Sequence, residues 1–400
     1  MLVLRRVWSS QHGRKAHKEA CHRPVKPRFE IVAECRSTRA RAGILHTAHG
    51  PVETPVFMPV GTQATVKGLT PRQLADDLDA RMVLANTYHL WLRPGEETIR
   101  ECGGLHRYMR WPRGILTDSG GYQVFSMAAL RRITEEGVHF RSHLDGSQRF
   151  LGPERAVDIQ QALGSDVMMV LDDCTAYPVS ESEARESMER TLRWTARSFD
   201  HWRRSGSDAG AMLFPIVQGS MFAGLRRECA SRLVELDAPG YAVGGLSVGE
   251  PRPLSYEMAA ACGEVLPRDR PRYVMGVGMP HEIGEYVALG IDMMDCVLPT
   301  RNARNGTLFT RRGKLMIKNA VHARDAAPID ETCGCYTCRN FSRSYLRHLL
   351  LAREMLFGTL ATIHNLWLYL DRMRRIREAI LTDSLPALLR GISAGGAVSG

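Results

Sequence analysis

The 400-residue chain contains no apolar run of the roughly 18 residues that a membrane-spanning helix requires. Nor does it open on the apolar core of a secretory leader. Its ten cysteines do not form a disulfide framework, because seven are scattered and three crowd into the string CGCYTC. These absences point to a soluble protein of the reducing cytoplasm. No GxGxxG string opens the first β-rich segment, which counts against a dinucleotide-binding open sheet. One further absence is local. Residues 296–324 carry seven Lys/Arg and no Asp or Glu.

That acid-free block accounts for part of a formal net charge of +10, and residues 1–29, with eight Lys/Arg against Glu19 alone, account for most of the rest. The remainder is slightly acidic. Basicity confined to a tail and to one stretch inside a folded region suggests a phosphate backbone as partner. At 44% apolar residues the chain is long enough for one large barrel or two ordinary domains.

Short apolar, β-rich runs alternate with amphipathic stretches: PVFMPVGT, MVLANTY, GILTDSGG, DVMMVLDDC, LFPIVQGS, YAVGGLSVG, RYVMGVG and IDMMDCV. Helical patterns such as TPRQLADDLDA, GPERAVDIQQALG and SESEARESMERTLRWTARSF lie between them. This is the pattern of a parallel sheet covered on both faces, and eight units fit an α/β fold of the (β/α)8 barrel type. The runs end on Thr62, Asn86, Asp118, Asp172, Gln218, Gly245, Gly276 and Asp295. Strand tips of a barrel converge on one face, so three Asp with an Asn and a Gln there indicate a site. The glycines suit close approach of backbone to a flat ligand.

Two insertions are expected. EEGVHFRSHLDGSQRF reads as a β-hairpin turning at Asp145-Gly146 after the third strand. After the eighth, the basic stretch leads to Cys333, Cys335 and Cys338, which are spaced to wrap one tetrahedral ion. Zinc suits them, with His348 and His364 both available as fourth ligand. A site with four protein ligands is structural, not catalytic. The expected organisation is a basic tail over 1–28, a barrel over 29–300, an RNA-contacting and zinc-binding subdomain over 301–385, and a tail over 386–400. In GIDMMDCV, strand alternation separates Asp295 from Asp292 and Cys296, so the thiol is expected to pack and Asp292 to lie far from the site.

The strings PVFMPVGT, NTYHLWLRPG, ILTDSGGYQVFS, HLDGS, DDCTAYP, VQGS, YAVGGLSVGE, YVMGVG and DMMDCVLPTRNARNG, followed by the cysteine cluster, closely resemble the bacterial tRNA-guanine transglycosylases over residues 28–380. The resemblance implies a zinc-containing barrel that replaces the wobble guanine of certain tRNAs with a 7-deazaguanine precursor of queuosine. It implies Asp295 as nucleophile and Asp118 as general acid/base. Base recognition would fall to Asp172, Cys174, Gln218, Gly245 and Leu246, with Ser119, Gly120 and Gly121 beside them and Tyr122 and Met275 sandwiching the ring. RNA would meet Gly276, Val277, Gly278, Met279 and Pro280, and also Thr300, Arg301, Asn302, Ala303 and Arg304. One structural Zn(2+) per subunit would sit on Cys333, Cys335, Cys338 and His364, and relatives suggest a homodimer.

Retention at C1′ calls for double displacement, which needs two carboxylates and no redox cofactor. Cys174 and Val248 point to the small aminomethyl base, with queuine as the alternative; Asp173 and Met279 depart from the usual pattern. A non-catalytic partner subunit would lack one of the two carboxylates. A hydrolase with catalytic zinc would need ligands at the strand tips.

Overall fold

A computed structural model describes residues 28–127, 131–206 and 210–396. Its largest sheet is wholly parallel and is built from β1 (Val56–Gly61), β2 (Met82–Ala85), β3 (Gly114–Thr117), β4 (Val167–Met169), β5 (Met212–Phe214 continuing as Ile216–Val217), β6 (Tyr241–Val243), β7 (Arg272–Val274) and β8 (Met293–Cys296). β8 pairs with β1, and each remaining strand pairs with its sequence neighbours, which closes the barrel. The fifth strand is split because Pro215 has no N–H to donate. Its carbonyl still accepts from the Ala242 amide at 2.9 Å.

β1, β2, β3 and β8 are buried at every residue, as a sheet covered on both faces requires. Helices Pro153–Leu163 and Glu181–Arg204 fall where the apolar periodicity places them, the second opened by a Ser180–Glu183 capping box. The segment read as a helix over 70–80 is helical over 71–77, its last five residues, Gln73–Asp77, wound as a π-helical turn. Asp76, Asp77 and Asp79 crowd its C-terminal end, where the helix dipole disfavours acids.

The expected hairpin is present as Val138–Arg141 and Gln148–Leu151, and Arg131–Ile133 adds a third antiparallel strand. A second antiparallel sheet, Phe29–Glu34, Arg41–Thr47 and Gly50–Thr54, precedes the barrel. It closes the end opposite the strand tips. The Arg41 guanidinium grips Asp292 at the start of β8 with two bonds, 2.9 and 2.6 Å, and the Arg272 amide donates to the same carboxylate at 2.7 Å.

After β8 come helix Leu298–Arg304, the hairpin Thr307–Thr310 and Gly313–Met316, and short helices up to Leu351. Helix Met355–Leu381 then returns to the barrel wall, its Tyr369 ring 4.7 Å from Phe57 and its Tyr369 hydroxyl donating to the Gly278 carbonyl at 3.1 Å. The fold is α/β, a barrel ringed by helices with a Cys3His cluster in its C-terminal region. Among the described residues no helix is long and apolar enough to cross a membrane.

Candidate active site and metal centre

The tips of β3 and β8 bring two buried carboxylates to the same end of the barrel. Asp118 Oδ1 accepts from the Thr87 and Gly120 amides at 2.9 and 3.2 Å, and Oδ2 accepts from Asn86 Nδ2. Asn86 is fixed in turn as the cap of helix Thr87–Leu92, its Oδ1 taking the His89 amide at 3.0 Å. Burial pushes Asp118 up to about 7 against these three donors, and the charge of Asp295 pushes the same way. Asp295 Oδ1 accepts from the Tyr273 hydroxyl at 2.6 Å and the Gly276 amide at 2.9 Å. Burial raises its pKa as well, opposed by those two donors. Tyr273, buried beside Asp295, stays a phenol and therefore a donor.

The neighbouring tips carry Asp172 and Gln218, joined by Gln218 Nε2 donating to Asp172 Oδ2 at 2.6 Å. Burial pushes Asp172 up to about 6. Gly245 has φ +63, and a Cβ there would lie 2.5 Å from Gln218 Oε1, so only glycine fits. The loop is held from below by Arg226, which is fully buried and donates to the Ser220, Gly244 and Gly245 carbonyls at 2.7, 3.0 and 3.3 Å. Leu246 and Ser119 are buried, Ser119 Oγ accepting the Gly121 amide at 3.2 Å. Tyr122, on the helix that follows Asp118, stands 54% exposed, while Met275 is half-buried. Burial pushes the Cys174 thiol up to about 12, so it is neutral.

Cys296 and Asp292 both stand apart from Asp295, as strand alternation requires. Cys296 is buried, its Sγ accepting the Leu298 amide at 3.4 Å and its thiol pushed up to about 12 by burial. Asp292 is bound to Arg41 at the far end of the strand.

In the segment Gly276–Pro280, Gly276 is exposed and Met279 half-buried, whereas Val277, Gly278 and Pro280 are buried. The Met279 amide donates to Glu282 at 2.5 Å. In helix Leu298–Arg304, Arg301 is exposed and Asn302 half-buried, while Ala303 and Thr300 are buried. Half-buried Arg304 donates to the Thr300 carbonyl at 2.8 Å. Side-chain contact with a ligand is therefore open to Arg301, Asn302 and Arg304 but not to Val277 or Ala303.

Cys333, Cys335, Cys338 and His364 are all buried, with their ligand atoms within 4.8 Å of one another. His364 Nδ1 lies 3.6, 3.6 and 3.3 Å from the three sulfurs. A tetrahedral zinc with ordinary Zn–S and Zn–N bonds places N and S about 3.6 Å apart, so the residues fit such an ion. His364 Nε2 donates to the Phe309 carbonyl at 2.7 Å, which leaves Nδ1 as the lone pair facing the sulfurs. His348, the other available histidine, is exposed on helix Arg343–Leu351 and outside the cluster.

Sequence reasoning missed Tyr273 and Arg226. Arg226 was detectable: it shares a helix stripe with buried Cys229, Ala230 and Leu233, where a charge has no place without buried partners.

The model of the family described as queuine tRNA-ribosyltransferase matches residues 35–395. The chain belongs to this family. It is an enzyme, a pentosyltransferase of the tRNA-guanine transglycosylase kind. A queuine tRNA-ribosyltransferase of Solibacter usitatus is 62% identical over 364 residues, 90% of this chain and 96% of that protein. Proteins of the same name from Desulforudis audaxviator and Caldanaerobacter subterraneus are 57% and 54% identical, over 96% and 94% of their lengths.

Proposed function

We propose that this transglycosylase exchanges the wobble guanine of tRNAs with a GUN anticodon for 7-aminomethyl-7-deazaguanine by double displacement. The single observation that carries the mechanism is the buried pair of Asp118, at about 7, and Asp295, hydrogen-bonded by Tyr273 and Gly276 through one oxygen only. Asp295 Oδ2 attacks C1′ of the ribose as the bond to guanine breaks, and protonated Asp118 delivers its proton to the leaving base. The ribosyl–Asp295 ester is then attacked by the incoming base, whose proton passes to Asp118, and the carboxylate of Asp295 leaves. A pKa near neutrality makes both forms of Asp118 accessible within one cycle.

Asp172 and Gln218 read the polar edge of the base, and the Gly245–Leu246 backbone reads the rest. Tyr122 and Met275 cover its faces, and a base in the anticodon loop is turned out to reach them. Cys174 and Val248 leave room for the aminomethyl base rather than queuine. Arg301 and Arg304 hold the flanking phosphates. Zinc on Cys333, Cys335, Cys338 and His364 supplies a structural tie, and no step of the reaction passes through it. The working enzyme is a cytoplasmic homodimer.

The test incubates the protein with a tRNA carrying wobble guanine and, separately, labelled guanine, 7-aminomethyl-7-deazaguanine or queuine. Label should enter from the first two. Entry of queuine at the rate of the aminomethyl base overturns the base assignment, and exchange by Asp295→Ala at the wild-type rate overturns the nucleophile.

A further inference from the structure

The antiparallel sheet over 131–151, inserted between β3 and helix Pro153–Leu163, has no part in the reaction above, yet its exposed surface is cationic. Strand alternation turns Val138 and Phe140 inward, where Phe140 meets Tyr88 and Trp91 at 5.6 and 5.8 Å. The same alternation turns His139 and Arg141 outward. Cross-strand register sets His139 between Arg132 and Phe150, and Arg141 opposite Gln148. Arg132, Arg141 and Phe150 share this outward face, whereas Arg131 and Arg149 pair with Phe140 and are exposed along its edges; the four arginines and His139 line a depression of about 330 Å³.

None of these four arginines makes an ion pair among the described residues. The acids of the insertion have partners of their own: Glu135 holds Arg193 at 2.7 Å, Glu136 is bonded by Thr134, and Asp145 holds its turn through Ser147 with the Arg149 charge near it. Phe150 is 40% exposed with its ring 4.7 Å from that of His139, offering a stacking face in the middle of the charge. Cations around an exposed aromatic ring, none held in a close ion pair among the described residues, form a surface for single-stranded or looped nucleic acid.

Position supports the same partner. The insertion rests on Tyr88, next to the Asn86–Thr87 pair that holds Asp118, and the Tyr88 hydroxyl bonds His143 Nδ1 at 2.8 Å. Arg301 and Arg304 follow β8, three places around the barrel from β3. A polynucleotide that leaves those arginines and crosses Asp295 and Asp118 runs onto the insertion. We propose that this exposed arginine cluster is a second RNA-backbone contact surface, across the barrel mouth from Arg301 and Arg304. The proposal rests on the tRNA-exchange reading.

The experiment compares wild type with the triple variant Arg132→Ala, Arg141→Ala, Arg149→Ala, measuring the dissociation constant for full-length tRNA across a salt series. A control triple variant carries Arg185→Ala, Arg227→Ala and Arg232→Ala, exposed arginines already paired with Glu228, Glu264 and Glu189. The hairpin variant should bind at least about tenfold more weakly near 0.1 M salt, and its log–log salt slope should flatten by about 2, at 0.7–0.9 per lost phosphate contact. The control should keep the wild-type slope.

An unchanged slope in the hairpin variant, or an equal loss in the control, overturns the surface. So does unchanged tRNA binding with loss of adhesion to phosphatidylglycerol vesicles. Guanine exchange by the wild type, run alongside, separates the two readings. Its absence removes the tRNA reading and this surface with it, whereas exchange with an unaffected hairpin variant removes the surface alone.

Discussion

At Asp118, burial and hydrogen bonding pull in opposite directions, and burial wins by enough to bring the carboxyl to about 7. In the proposed mechanism the side chain below that pH carries the proton for the departing guanine; above it the proton is gone. The single-turnover rate of ribosyl transfer should therefore fall about tenfold per pH unit on the alkaline side, with a midpoint near 7. The acid limb of that mechanism belongs to Asp295, proposed to attack in its ionised form. Its Tyr273 bond favours the ionised form, so Tyr273→Phe should move the acid limb to higher pH and slow transfer on the order of tenfold. The alkaline limb should stay in place. A flat rate between pH 6 and 9 would contradict the assignment of Asp118, and an unmoved acid limb the role of Tyr273. Asp118 and Asp295 were legible in the sequence because polar residues recur where apolar runs end. Tyr273 was not, since one tyrosine within a buried strand looks like core until its hydroxyl partner is known.

Among the elements, the long helix Met355–Leu381 ties two regions together. His364 faces the three cysteines on one side and holds the Phe309 carbonyl with its other nitrogen, while Asn365 accepts the Phe309 amide at 2.9 Å. Order in the hairpin Thr307–Thr310 and Gly313–Met316 therefore depends on the cluster. Protein purified without chelator should contain one zinc per chain, and Cys335→Ser or exhaustive chelation should remove it. Amide hydrogen exchange should then quicken across 307–316 and leave β1–β8 protected; equal protection with and without metal would show that the ion does not hold this region. The cysteine spacing made the cluster legible. Residue spacing alone left His348 and His364 equivalent, because only packing tells an exposed histidine from one facing three sulfurs. Similarly, the Phe29–Thr54 sheet was hidden because its strands lack a continuous apolar run and its Arg41 meets Asp292 some 250 residues away in the chain.

The whole molecule divides its labour between the barrel's two ends, a division that eight alternating units could suggest but not place. The proposed chemistry lies at the strand tips, and the opposite end is closed by Arg41 on Asp292, both nearly inaccessible to solvent. Arg41 also donates to the Arg268 and Arg270 carbonyls, so it ties the first sheet to the turn before β7 as well as to β8. Arg41→Met would leave Asp292 buried with the Arg272 amide as its remaining donor, at a cost of about 3–5 kcal/mol. Asp292 and Asp295 sit at opposite ends of one short strand, so the loss should appear as a lower denaturation midpoint, with base exchange per folded molecule unchanged within about twofold. Adding Asp292→Asn removes the stranded charge and should restore most of the midpoint, giving a coupling between the two positions of several kcal/mol. Full additivity of the two losses would mean that the ion pair does not close the barrel. A fall in exchange matching the fall in stability would mean that its two ends are not independent.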